Sequence, residues 1–297
     1  MWSYYANARE CYAYLVDVPS LTHGREAVMR RLQTSTWFTR GWTLQELLAP
    51  SAVLFCNREW EIVGNKRSLA RVISSATRIP EEYVGIDMFM NAKYYAMVAS
   101  VAERLSWASN RQTMRAEDRA YCLLGLFDVN MPLLYGEGGE NAFRRLQLEI
   151  ISRSDDESIF AWAGAPSLRH STMLAPSPAA FTHSVSMRRT TIASDKHAAE
   201  AEERNPYAMT NKGLHFSASA LRVVRSRDST LPNGSYAVAL KCFELVSKRR
   251  YIVLLGRQLA GVSTQNRIHP HATPDAVDEL IRSCEWEDVG LVQFYIR

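Results

Sequence analysis

The stretch Ser35–Pro50, STWFTRGWTLQELLAP, sets two tryptophans, an arginine, a glutamate and a helix start close together in the chain. Thr43, Leu44, Gln45 and Glu46 have the spacing of a capping box. In that device a threonine hydroxyl and a glutamate carboxylate satisfy backbone N–H groups at a helix N-terminus, and Trp42 and Leu47 fall at the flanking staple positions. Trp42 and Glu46 are also four residues apart, so on a helix beginning slightly earlier they share a face, an aromatic plate beside an acid. Pro50 ends the helix, because it disfavours α geometry at Ala49. Read locally, Glu46 is a first-turn acid that complements the helix dipole. A functional acid is the minority role at such a position.

On either side of this stretch the pattern alternates between helix and strand. Trp2, Tyr5 and Ala8 form a helical stripe, and Cys11 to Val18 reads as a strand buried in a parallel sheet. Ala52 to Cys56 is a second buried strand, and Trp60 to Gly64 is rich in turn residues. Helical spacing returns in Lys66 to Ala76, Ala92 to Ala108, Ala116 to Phe127 and Glu140 to Ser152, and Ser158 to Trp162 reads as a strand. The order helix, strand, helix, strand predicts α/β construction. From Gly164 to Pro206 the chain is rich in Pro, Ser, Ala and Thr and reads as a linker or loose connection. Beyond it, alternation at Leu214 to Ala220 and Tyr236 to Cys242, with apolar runs at Tyr251 to Leu255 and Leu291 to Ile296, predicts a β-rich segment. One helix is expected there, near Pro274 to Arg282, and Pro232-Asn233-Gly234 supplies a turn. The predicted units are thus 1–163, a connection over 164–206, and a smaller β-rich domain over 207–297.

The 297 residues are 47% hydrophobic and 22% charged, which is globular composition, and no apolar run is long enough to cross a bilayer. The net charge of +4 is mild and its basic residues are scattered, so nucleic acid is not indicated. The cysteines, Cys11, Cys56, Cys122, Cys242 and Cys284, are odd in number and include no Cys-x-x-Cys pair. They read as reduced thiols inside a cytoplasmic protein. No nucleophile motif pairs a serine, threonine or cysteine with a histidine. His269 and His271 lack a third ligand at a useful spacing, and no metal is expected. Asp155, Asp156 and Glu157 read as a helix-exit loop. Arg111, Arg115, Glu117, Asp118 and Arg119 form a dense charge cluster, with a salt-bridged helix start favoured over a phosphate-facing arginine. Gly136-Glu137-Gly138-Gly139 could hold an anion on backbone N–H groups, although simple turn chemistry explains it.

The organising stretch, with CYAYLVDV before it and AEDRAYCLLGLFDVNMPLLYGEG after it, resembles the fungal heterokaryon-incompatibility (HET) domain. The resemblance runs from about Trp2 to Trp162, and the segment from Tyr207 to Leu214 resembles the region that often follows HET domains. It implies a growth-arrest and cell-death effector in fungal self/non-self recognition. HET domains are in turn similar to Toll/interleukin-receptor (TIR) domains, in some of which the glutamate of a Ser-x-Trp-Cys-Leu-x-Glu-Leu helix start is the catalytic residue of NAD cleavage. Trp42, Leu44, Glu46 and Leu47 fall on that pattern. The resemblance therefore implies a TIR-like α/β fold, a parallel sheet with flanking helices. It also implies two strands ahead of Met1, so the sheet is expected to be incomplete at the N-terminus, with an edge open to another chain.

By the same resemblance Glu46 is the catalytic carboxylate, no resident cofactor is needed, and NAD is the candidate substrate. Trp42 walls the pocket, and Arg40, Arg111, Arg115 or Arg119 meets the pyrophosphate. The competing expectation is a non-catalytic interaction module, or an inactive remnant, that associates with other HET proteins as a homo- or hetero-oligomer.

Overall fold

The computed structural model describes residues 1–85, 98–163, 173–189, 207–210, 213–226, 235–245, 250–255, 267–268 and 284–296. Its contacts divide the chain into two units. The first comprises Met1–Ala99, Arg104–Leu146 and Ser177–Ala179, and the second comprises Ser100–Glu103, Gln147–Pro176 and Ala180–Arg297.

The first unit mixes helices with a three-stranded sheet in the order β1 (Cys11–Tyr14), β2 (Val53–Cys56) and β3 (Ile62–Asn65). Strands β1 and β2 run parallel, with Cys11 opposite Val53 and Tyr14 opposite Cys56, while β3 returns antiparallel. This is α/β construction, and the parallel pair is the one the apolar runs predicted. The passage at Trp60, read as turns alone, contains the turn into β3. Asn57 holds that turn with its side-chain amide, accepting from the N–H groups of Glu59 and Glu61 and donating to Pro19 O and Glu61. All four bonding directions of a fully buried amide are thereby satisfied.

One face of the sheet carries the core. Ala13, Val53 and Phe55 are buried, and the Trp37 ring meets Phe55 edge-on at 5.7 Å. Burial of a side chain such as Val53 or Phe55 contributes about 1.5–3 kcal/mol of transfer free energy. Alternation places Tyr12 and Tyr14 on the opposite face, where both are exposed and Trp60 stacks on Tyr14 at 4.7 Å.

The helices of this unit are short. They include α1 (Trp2–Ala6), α2 (Arg25–Gln33), α3 (Thr43–Leu48), α4 (Ala70–Thr77) and α5 (Glu81–Val84). Further along come α6 (Val101–Ser106), α7 (Asp118–Tyr121) and α8 (Gly139–Ile151), and the division between the units falls within α6 and α8. The helix expected over Ala116 to Phe127 is only the single turn α7, followed by further turns. Within those turns Gly125 packs against α1: a Cβ there would stand 2.4 Å from Trp2 Cβ, so the position must remain bare.

The second unit is β-rich. Its seven strands follow the order β10-β6-β7-β8-β9, with β4 (Met187–Arg189) on β7 and β5 (Ala208–Thr210) on β6. The long strands are β6 (Gly213–Ser226), β7 (Tyr236–Glu244), β8 (Arg250–Leu255) and β10 (Cys284–Ile296), and β9 is Arg267–Ile268. The strand expected at Ser158 to Trp162 is instead a 3-10 turn over Glu157–Phe160. Asp156 starts it by accepting from Ser158 N, and its other oxygen accepts from Val101 N. Asp155 pairs with Arg189, and Glu157 accepts from Lys241 N at 2.7 Å, so the acidic run serves backbone and arginine partners. Phe160 packs edge-on against Tyr207 and Phe216. The helix expected near Pro274, the turn at Pro232 to Gly234 and the histidines at 269 and 271 lie outside the described residues. No helix among the described residues is long and apolar enough to cross a membrane.

Candidate functional site

Helix α3 is only six residues long, so its geometry depends on what its ends meet. The expected capping box does not form: Trp42 occupies the N-cap with no side-chain cap bond. The Thr43 hydroxyl turns back to donate toward the carbonyls of Trp37 (2.6 Å) and Arg40 (2.9 Å), both on the preceding turn. What fixes this arrangement is Arg111, distant in sequence. Its Nε donates to Trp107 O, and its Nη1 donates to Arg40 O (2.8 Å) and to Thr43 Oγ1 (3.0 Å). A backbone bridge between Arg40 and Gln112 ties the same two segments, with Gly41 N donating to Gln112 O at 2.8 Å.

Glu46, released from capping, is half-buried and accepts a hydrogen bond from the Tyr5 hydroxyl. Desolvation pushes its carboxyl above the usual range, and the charges of Arg40 and Arg111 and the Tyr5 bond only partly offset that rise. Burial also raises the Tyr5 hydroxyl and the Cys11 thiol, and the Glu46 charge adds to both. Burial lowers the Arg111 guanidinium to about 10, which leaves it cationic at neutral pH. The site is thus a desolvated carboxylate with a phenol and two guanidinium groups within electrostatic reach.

The residues expected to accompany Glu46 separate into two groups. Arg40 is exposed and Arg111 is buried, and both act on the carboxylate. Trp42 is half-buried at the N-cap. Arg115 instead lies over the Tyr135 ring at 4.5 Å and acts on Glu117. Arg119 is exposed and lines a cleft of about 320 Å3 together with Gly41, Arg111, Thr113, Cys122 and Ser177. Glu46 is not among the residues lining that cleft.

The charged run 111–119 is therefore not a salt-bridged helix start. Arg111 goes to carbonyls, Asp118 accepts from the Tyr135 hydroxyl, and Glu117 turns to the glycine loop. Glu117 Oε1 accepts from Gly136 N (2.9 Å) and Gly138 N (3.1 Å). The anion held by that loop is a carboxylate of the chain itself. Hydrogen bonds from its own N–H and from these two glycines hold Glu117 below the ordinary range. Gly136 and Gly138 adopt φ of 101° and 84°, which the presentation of successive N–H groups requires.

Tyr5 and the structural role of Arg111 are what the sequence did not announce. Tyr5 reads only as part of a core stripe, and its contact with Glu46 joins helices that lie far apart in the chain. Among the described residues no cluster of His, Cys, Asp or Glu could hold a metal ion, and the cysteines are free.

Over 153 residues the chain is 42% identical to the vegetative incompatibility protein HET-E-1 of Podospora anserina. That match covers 50% of this chain and 11% of the relative, so the chain spans about a tenth of that protein's length. The chain is thus similar to a part of a protein named for vegetative incompatibility. Residues 141–229 match a family described as a domain of unknown function, DUF8212. No solved structure matches.

Proposed function

We propose that the chain is part of an incompatibility effector that hydrolyses NAD at the bond between nicotinamide and ribose, with Glu46 as the catalytic carboxylate. The observation that carries this reading is the desolvated Glu46 carboxylate held between the Tyr5 hydroxyl and the Arg40 and Arg111 charges. In the reaction the C–N bond breaks, nicotinamide leaves with the bonding pair, and water adds to the ribosyl carbon to give ADP-ribose and a proton. The ribosyl group carries positive charge as the bond breaks, and a carboxylate beside it stabilises that charge more strongly in a water-poor site than in bulk solvent. Glu46 serves this role and accepts a ribose hydroxyl bond, while Tyr5 fixes the carboxylate orientation. The charges of Arg40 and Arg111 favour the ionised carboxylate and offset part of its desolvation.

The test is chromatographic. Folded wild-type chain incubated with NAD yields nicotinamide and ADP-ribose in equal amounts, and Glu46→Gln yields neither. Equal product from both proteins would remove Glu46 from the mechanism.

A second reading, a non-catalytic module that binds a complete incompatibility domain, is favoured by the exposed Tyr12, Tyr14, Trp60 and Ile62 on the β1–β3 sheet. It predicts that Tyr14→Asp abolishes capture of such a domain and Glu46→Gln leaves capture unchanged.

A further inference from the structure

We infer that the cleft between Arg111 and Arg119 is a subsite for a phosphate or diphosphate group. It lies within the first unit, and among the described residues that line it the only charged side chains are these two arginines. A cleft with two guanidinium groups and no lining carboxylate has a net positive field that an anion relieves. Arg111 is 8% exposed, and its Nε and Nη1 are committed to Trp107 O, Arg40 O and Thr43. Its remaining nitrogen, Nη2, is buried with no hydrogen-bond partner. An unsatisfied donor on a buried cation is costly, and a phosphate oxygen is the acceptor to which a guanidinium is best matched.

Arg119 stands exposed, free to swing its fork onto the same group. The Ser177 hydroxyl on the wall is a further donor of the kind that phosphate oxygens use. The volume of about 320 Å3 lies at the lower end of small-molecule sites, enough for a diphosphate and part of what it carries.

Arg111 also links this cleft to the carboxylate, because its charge acts on Glu46. A dinucleotide could therefore set its diphosphate against Arg111 and Arg119 while its ribosyl bond meets Glu46. In naming a dinucleotide as the source the inference rests on the NAD reading; the anion chemistry of the cleft does not.

Titration calorimetry on the full chain tests it, with inorganic pyrophosphate and ADP-ribose as probes. Arg119 is the residue to change, since Arg111 supports the fold. We expect both probes to bind wild type, with ADP-ribose the tighter. Arg119→Glu, shown to be folded by circular dichroism, weakens both about tenfold or more. The affinity of wild type falls as salt is raised, and that of Arg119→Glu falls less. Pyrophosphate binding as tightly as ADP-ribose would support the cleft and overturn the dinucleotide as its source. Absence of binding to folded wild type, or equal affinity in Arg119→Glu, would overturn the subsite. Retained binding without NAD cleavage by wild type would overturn the proposed reaction alone.

Discussion

Glu46 and Glu117 each stand at the start of a short helix in the same unit, and their environments push them in opposite directions. Glu117 is consumed by the backbone: it closes the glycine loop through Gly136 and Gly138, and those bonds hold it in its ionised form. The helix that carries Glu46 has no side-chain cap bond, and Glu46 sits desolvated with its carboxyl raised. A carboxylate held by fixed N–H donors is engaged in the fold. One that is desolvated has an energetic incentive to take a ligand.

The largest effect expected is on Arg111, which makes the comparison possible. Arg111→Met removes the guanidinium bonds to Trp107 O, Arg40 O and the Thr43 hydroxyl, and costs about 3 kcal/mol of stability by urea denaturation. Next is Glu117→Ala, which opens the glycine loop and lowers Tm by several degrees. Glu117→Gln, retaining an acceptor oxygen, recovers part of that loss. A Glu117→Ala protein as stable as wild type would erase the contrast between the two glutamates.

A smaller effect separates them by pH. Glu117 has a lowered folded value, so its contribution to stability is present above the unfolded glutamate value, about 4.3, and is lost as pH falls through the folded value. Asp17 behaves the same way. Desolvation raises it, but the bonds from Thr36 N and the Ser35 and Thr36 hydroxyls together outweigh that, and the net shift is downward. Glu46 has the opposite sign: its contribution is present below about 4.3 and is lost as pH rises through its raised folded value. Denaturation of Glu46→Gln and wild type from pH 4 to 7 should therefore show the variant gaining relative to wild type as pH rises. The reverse trend would mean that the arginines overcompensate the desolvation.

Most of the framework was legible in the chain. The apolar runs at Cys11 and Ala52 gave the parallel pair β1 and β2, and alternation beyond Leu214 gave β6 and β7, because burial of one sheet face leaves a local periodic trace. The start of α3 was legible and its capping was not. Thr43 at the right spacing from Glu46 has the local chemistry of a capping box, but a buried guanidinium from Arg111 offers the hydroxyl a long-range partner, and a six-residue helix is too short to dictate its own end. The turn at Glu157–Phe160 was missed for a related reason. A short apolar run fits a strand or a tight turn equally, and the Asp156 bond to Ser158 N decides between them. Tyr5 could not be read at all, since its partner lies on another helix and neither sequence environment refers to the other.

The central claim is that Glu46 acts on a substrate and Glu117 acts on the fold. The direct test is NAD consumption by wild type, Glu46→Gln and Glu117→Gln, each corrected for its folded fraction. The account predicts loss of cleavage in Glu46→Gln with no loss of Tm, and in Glu117→Gln a lowered Tm with cleavage per folded molecule retained. Cleavage that survives in Glu46→Gln, or a folded wild type that leaves NAD intact, would contradict it.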